Sequence, residues 1–301
     1  MRNLVIFTVF ILLLAACAPA TPATAPTPTA RPMPTGAWMG ETPPDYVPKL
    51  FGFRFMSYNL HSPPVFSPDG TEVYWSDFKD GLGRIKSSRI IDGVWTEPLV
   101  LSLADSNIST IDPWLSPDGS RLFFMSDEPI PGLNTFERAT LWVAQRVGEG
   151  WGQPEPMPAE INSRVLHWMS SITNEGDLYF AGGTQGVDTI YLSRFINGKY
   201  TPSVELDAPV NTPDMDEYAP AVDPAGKFLL FTRLKSYDSM PRLFISYALP
   251  DGKWSEPVMV ENIHYCAAVV LSPDGKYIFY LSDPDHVSWR DTSFIEELRP
   301  H

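Results

Sequence analysis

Five times along the chain a short apolar run reaches a tight polar turn and is answered by a second apolar run. The copies centre on Ser67-Pro68-Asp69-Gly70, Ser116-Pro117-Asp118-Gly119, Thr173-Asn174-Glu175-Gly176, Asp223-Pro224-Ala225-Gly226 and Ser272-Pro273-Asp274-Gly275. Val, Ile, Leu, Phe, Tyr and Trp dominate both flanks, the composition of buried or half-buried strands. Pro presets φ at the first central position, Asp can accept from the amide two residues on, and Gly takes the positive φ a returning strand needs. The turns recur about every fifty residues, with a longer second interval, so the chain reads as an array of one repeated unit.

Each unit continues past its hairpin. A third apolar stretch follows in several copies, as at Leu141-Trp142-Val143, Ile190-Tyr191-Leu192 and Leu243-Phe244-Ile245. A Gly turn then leads to a segment carrying an aromatic residue and a Pro: Trp95 and Pro98, Trp151 and Pro154, Tyr200 and Pro202, Trp254 and Pro257. Four antiparallel strands in about fifty residues make a propeller blade. The Pro-bearing segment suits the outer edge, where a missing N–H costs least.

The Ser-Pro-Asp-Gly strand pairs resemble the WD40-like (PD40) repeats of TolB-like β-propellers. The likeness spans about residues 46–301 and is weakest in the copy at Thr173. The Trp-Asp signature of true WD40 repeats is missing, and the Gly-Gly pair of kelch repeats occurs once, at Gly182-Gly183. The resemblance implies a propeller of a kind that mostly binds partners, and it carries no catalytic set onto this chain.

The last unit has a hairpin and a third strand near Val287–Trp289 but no fourth, while an apolar segment near Leu50–Phe55 precedes the first hairpin. Pairing the two closes the ring and leaves no free edge. The expected architecture is therefore an all-β, five-bladed β-propeller closed by its N- and C-terminal segments. Six blades would require one without a turn signal in the longer second interval.

The N-terminus adds a destination. Residues 1–16 hold one basic residue, Arg2, and an apolar run from Leu4 to Leu14, too short to span a bilayer and shaped as a secretory signal. Leu14-Ala15-Ala16-Cys17 resembles the bacterial lipobox, in which Cys17 becomes the lipidated first residue. Residues 17–45, mostly Ala, Thr and Pro, read as a disordered tether, and 46–301 as the propeller. The expected location is the cell envelope, extracytoplasmic, held to the membrane by the lipid alone. Cys266 is the one cysteine left after Cys17, so no disulfide forms within the chain; it reads as a small buried hydrophobe.

The formal net charge is −14. Both charged residues of the first forty, Arg2 and Arg31, are basic, so the remainder is more acidic still. Nucleic acid is thereby excluded as a partner, and a neutral, cationic or glycan ligand or a protein of the envelope fits better. The expected state is a monomer with no cofactor and no metal.

Candidate chemistry gathers where first strands begin and second strands end, at one mouth of the channel. His61, Thr110, His167, Glu217 and Cys266 stand six residues before their turns, with Asp112, Trp168, Tyr218 and Tyr265 beside them. The second strands end in Asp77, Asp127, Gly182, Arg233 and Asp283. Stacking on Trp168, Tyr218 and Tyr265 with carboxylates as acceptors would make a ligand site. The alternative is a carbohydrate-active hydrolase using rim carboxylates such as Asp112, Asp127 and Glu217, which needs two of them flanking a cleft. No Gly-x-Ser-x-Gly elbow or sialidase Asp-box occurs, so a hydrolase of either kind is not indicated.

Overall fold

The computed structural model describes residues 32–300 except 53, 57, 134–138, 165, 185–186 and 236–238; for 166–168 and 184 it describes the backbone only. Cys17 and the signal segment lie outside the described residues. Among the described residues no helix is long and apolar enough to cross a membrane.

Five antiparallel sheets form the five blades of a β-propeller. Blade 1 contains Val65–Phe66, Glu72–Lys79, Leu82–Ile91 and Leu99–Val100; blade 2 contains Thr110–Leu115, Arg121–Ser126, Thr140–Val147 and Glu155–Pro156. Blade 3 runs Leu166–Ile172, Leu178–Thr184, Val187–Ser193 and Val204–Glu205, and blade 4 runs Asp216–Val222, Phe228–Leu234, Arg242–Tyr247 and Val258–Met259. Blade 5 takes Val269–Leu271, Tyr277–Asp283 and His286–Asp291 from the end of the chain and Lys49–Phe51 from its beginning. The closing register is Lys49 opposite Trp289, Leu50 opposite Ser288 and Phe51 opposite Val287.

The turns work as their residue types dictate. Ser67 Oγ donates to Asp69 Oδ1 at 2.6 Å and accepts from the Glu72 amide at 2.9 Å, while the Thr71 amide donates to Asp69 Oδ1 at 3.0 Å. Gly70 sits at φ 71°. The same closed set recurs at Ser272, Asp274 and Tyr277. In blade 4 Asp223 takes over, accepting from the amides of Ala225 and Lys227. The signature residues are thus consumed by the turn.

The outer strand is split by its Pro. Val94–Trp95 pairs with the far end of Leu82–Ile91, the chain leaves the ladder through Pro98, and Leu99–Val100 rejoins it nearer the middle. The Trp ahead of that Pro packs against the preceding blade: Trp151 meets Tyr74 edge-on at 6.0 Å, and Trp254 meets Tyr179 at 6.2 Å. Both Trp rings are half-buried by this contact, so the recurring aromatic acts as mortar between blades. At the centre, Trp114 packs against three separate core clusters, which places it on the ring axis.

The ordered domain begins earlier than expected. Residues 33–45, assigned above to the tether, lie on the ring. Thr35 bridges Val94, Trp95 Nε1 donates to the Gly36 carbonyl at 2.8 Å, and the Trp38 ring packs within 5.0 Å of Phe66 and 5.6 Å of Tyr277. Trp38 and Met39 supply apolar bulk in an otherwise small-residue stretch, and Met39 is buried.

Candidate functional site

The first strands of the blades are the innermost, and three of them break register before the turn, between Ile111 and Trp114, between His167 and Ser171, and between Tyr218 and Ala221. In blades 2 and 4 the residue at the break has positive φ: Asp112 at 53° and Ala219 at 48°. Each stands directly before a Pro, and a Pro inside an inner strand marks such a bulge. The bulge turns Asp112 toward blade 1.

There Asp112 Oδ1 pairs with His61 Nδ1 at 2.8 Å. The Asp112 side chain is wholly buried and that of His61 is 22% exposed. The Asp112 amide donates to Ser76 Oγ, whose hydroxyl donates to Ser62 Oγ, while the Ser76 carbonyl accepts from the His61 amide at 2.9 Å. Phe78 meets the imidazole edge-on at 5.2 Å. Burial pulls the His61 pKa down, but the charge and hydrogen bond of Asp112 outweigh it and hold it above its ordinary value. Asp112 Oδ2 is buried and has no hydrogen-bond partner among the described residues, and Asp77 Oδ1 shares that state. Asp77 bridges Leu60, next to His61, and its other oxygen pairs with Lys86. An uncompensated buried carboxylate oxygen costs roughly 1–3 kcal/mol or more, and blades 1 and 2 carry two of them, one paired with His61 and one opposite Leu60.

The other candidates are distributed differently. Glu217 is completely buried. It accepts from Arg233 Nε at 2.8 Å and from Thr212 Oγ1 at 2.8 Å, and Arg233 also donates to the carbonyls of Pro209 and Val210. Burial raises the Glu217 pKa against the pull of Thr212 and Arg233. The Arg233 guanidinium lies 4.8 Å from the Phe244 ring of the third strand, so the pair fastens the 209–212 segment and does not line the mouth as a solvated acceptor. Tyr218 is buried, with its pKa raised mainly by burial. The half-buried Tyr265 is raised for the same reason. Asp127 Oδ1 accepts the Ser109 amide at 2.7 Å, and Asp283 pairs with His286 at 2.8 Å. Thr110 is buried, and Cys266 is fully buried with its thiol pushed up to about 12. His167 and Trp168 lie in Leu166–Ile172, His167 opposite Ala181; their side chains lie outside the description.

The structure therefore joins His61 and Asp112, places Asp77 opposite Leu60 next to them, and gives Glu217 and Asp283 other partners, Arg233 and His286. Sequence reasoning missed Lys86 and the Ser62–Ser76 pair. The dipeptide Asp112-Pro113, a charge before a Pro inside an apolar strand, was the available signal. Among the described residues no group of three or more His, Cys, Asp or Glu side chains is placed to hold a metal.

No protein-family model matches the chain, and no curated protein matches it. Solved structures do resemble it. TolB from Acinetobacter baumannii is 13% identical, with a TM-score of 0.47 over 76% of this chain and 53% of that one. The putative TolB from Agrobacterium tumefaciens is 15% identical, with a TM-score of 0.49 over 74% and 69%. A gluconolactonase from Xanthomonas campestris is 13% identical, with a TM-score of 0.47 over 88% and 98%. The chain spans about half the length of the first. The likeness is one of propeller architecture, and function rests on the site itself.

Proposed function

We propose that this chain is a lipid-anchored, extracytoplasmic binding propeller that takes a ligand or an envelope protein partner at the channel mouth beside His61, Asp77 and Asp112. The observation that carries the reading is the His61–Asp112 pair: a wholly buried carboxylate, one oxygen still without a donor, that orients and charges a partly exposed imidazole. A ligand acceptor reaching the His61 imidazole gains a charge-assisted hydrogen bond in a low-dielectric wall, where such bonds are strongest, because Asp112 favours the protonated ring. Anchoring through Cys17 completes the reading and rests on the Leu14-Ala15-Ala16-Cys17 motif.

The carbohydrate-hydrolase alternative is less well supported. Two working carboxylates should face each other across a cleft. Here Glu217 is tied to Arg233, Asp127 to a backbone amide and Asp112 to His61.

A ligand panel of amines, sugars and peptides, read by calorimetry on the wild-type and Asp112→Asn proteins, tests the proposal. A ligand that binds the first and is weakened about tenfold or more by the second supports the mouth, since a bond to a charged group is worth about 1.5–3 kcal/mol. Ligands indifferent to Asp112→Asn would move the site elsewhere.

A further inference from the structure

The opposite end of the channel holds a feature the proposed function does not use. The five hairpin turns crowd around the axis. Any side chain at Gly119 would press on Pro68 of the neighbouring turn, and the Asn174 amide donates to the Pro224 carbonyl at 2.8 Å. They enclose a cavity of about 230 Å³. Each blade contributes to its wall, through Phe66, Trp114, Ile172, Val222 and Leu271. Pro68, Pro117, Pro224 and Pro273 form its lip, with Asn174 in the fifth place. The Ser116 and Ser272 hydroxyls at its edge are spent on Asp118 and Asp274. The wall is apolar and carries no charged side chain.

Beyond the lip acidic groups predominate. The turns bear Asp69, Asp118, Glu175, Asp223 and Asp274, against Arg121, Lys227 and Lys276 just past three of them, Lys276 lying 3.6 Å from Asp274. Hydrogen bonds from Ser67 and Ser116 hold the Asp69 and Asp118 carboxyls below their ordinary range, so both are ionised at any physiological pH. An apolar site ringed by fixed negative charge favours one class of occupant. An anion is repelled, a neutral hydrocarbon gains only the burial, and a cation with an apolar body gains burial and the field together. A Trp in the wall adds attraction for an organic cation. The size agrees, since a 150 Å³ apolar cavity already accepts benzene.

We propose that the axial cavity at the turn end is a second binding site, for a small organic cation such as an aryl or alkyl ammonium, its apolar body against Trp114 and its charge at the lip. This goes beyond the reading of the channel mouth and does not depend on it.

The test uses phenyltrimethylammonium, its neutral isostere tert-butylbenzene and the anion benzenesulfonate, followed by saturation-transfer NMR and competition on the intact chain. The cation should bind about tenfold or more tightly than the isostere and weaken as salt screens the lip, and benzenesulfonate should not bind. Leu271→Trp fills the cavity from its wall and Asn174→Trp covers it from the exposed lip without touching a strand; either should lower affinity about tenfold. Glu175→Gln with Asp274→Asn should weaken the cation alone and flatten its salt dependence. Equal binding of cation and isostere, or unchanged binding in a folded Asn174→Trp protein, would overturn the proposal. Asp112→Asn should leave this affinity unchanged, so failure here and failure of the mouth are separate results.

Discussion

Single residues carry the chemistry of this molecule through backbone conformations that strands rarely adopt. Asp112 reaches His61 because its φ of 53° turns it out of register, and Asn tolerates that region nearly as well as Asp does. Asp112→Asn should therefore fold and lose the charge, whereas Asp112→Ala should lose about 1–3 kcal/mol in chemical denaturation, through the bonds and the left-handed backbone together. His61 has a folded-state pKa above its unfolded one. Its pairing with Asp112 stabilises fully below the unfolded value, near 6.5, and that contribution fades as pH rises through the folded value. Denaturation midpoints between pH 5 and 9 should show this slope in the wild type and not in His61→Gln; equal slopes would remove the pair from the account. Asp118 behaves in the opposite sense. Held down to about 2 by Ser116 and Ser120, it stabilises above the ordinary aspartate value and loses that contribution as pH falls toward 2, so Asp118→Asn should shrink the acid-induced loss over that range. The Asp112–His61 contact was half legible in sequence: both residues stood out as rim candidates, but only the bulge decides that they meet. Glu217 was legible as a position and misleading as chemistry, because nothing in its own spacing shows that Arg233 and Thr212 would enclose it.

Strands and turns were the most legible level. Ser-Pro-Asp-Gly spells out its own hydrogen bonds, and even Asp223-Pro224-Ala225-Gly226 keeps a carboxylate where the serine would be. The closing strand followed from an absence, the missing fourth strand of the last blade, and its register centres on Leu50 opposite Ser288. What sequence could not give was the segment before it. Trp38 stands alone in a Pro-rich stretch, and only packing against Phe66, Phe279 and Trp289 explains it. Phe51 anchors the closure, with its ring 4.8 Å from Phe279 and 5.1 Å from Trp289. Phe51→Ala should cost about 3–5 kcal/mol in thermal or chemical unfolding, and Leu50→Ala, on the exposed side of the same strand, under about 0.5 kcal/mol. Equal effects would mean that the strand closes the ring by backbone pairing alone. Gly183 marks another such limit: a Cβ there would collide with the Val187 carbonyl across the hairpin, so Gly183→Ala should disturb the end of blade 3 although the residue lies in a regular strand.

At the scale of the whole molecule, charge and the proposed lipid anchor make two predictions. The acidic surface should repel nucleic acid at low salt, and Cys17→Ser should abolish lipid labelling and free the chain from membranes; unchanged membrane association would sink the anchor. The blade number was legible because each blade announces itself with a turn, whereas ligand identity was not, since the residues that repeat are spent on the scaffold. The shared fifth blade also orders events in time. Asn59 and Asp285, which meet beside it, are 226 positions apart, and gathering a loop of that length costs roughly 5 kcal/mol of chain entropy before any contact repays it. Blades 1 to 4 can each assemble from neighbouring residues as the chain emerges, but the clasp must wait for the last strand. Until then the core around Phe279 and Trp289 lacks its partner and the edge of Lys49–Phe51 is unpaired. The window of greatest exposure to proteases and to wrong partners is therefore the end of synthesis, and it shuts when Lys49–Phe51 finds the strand at Val287–Trp289.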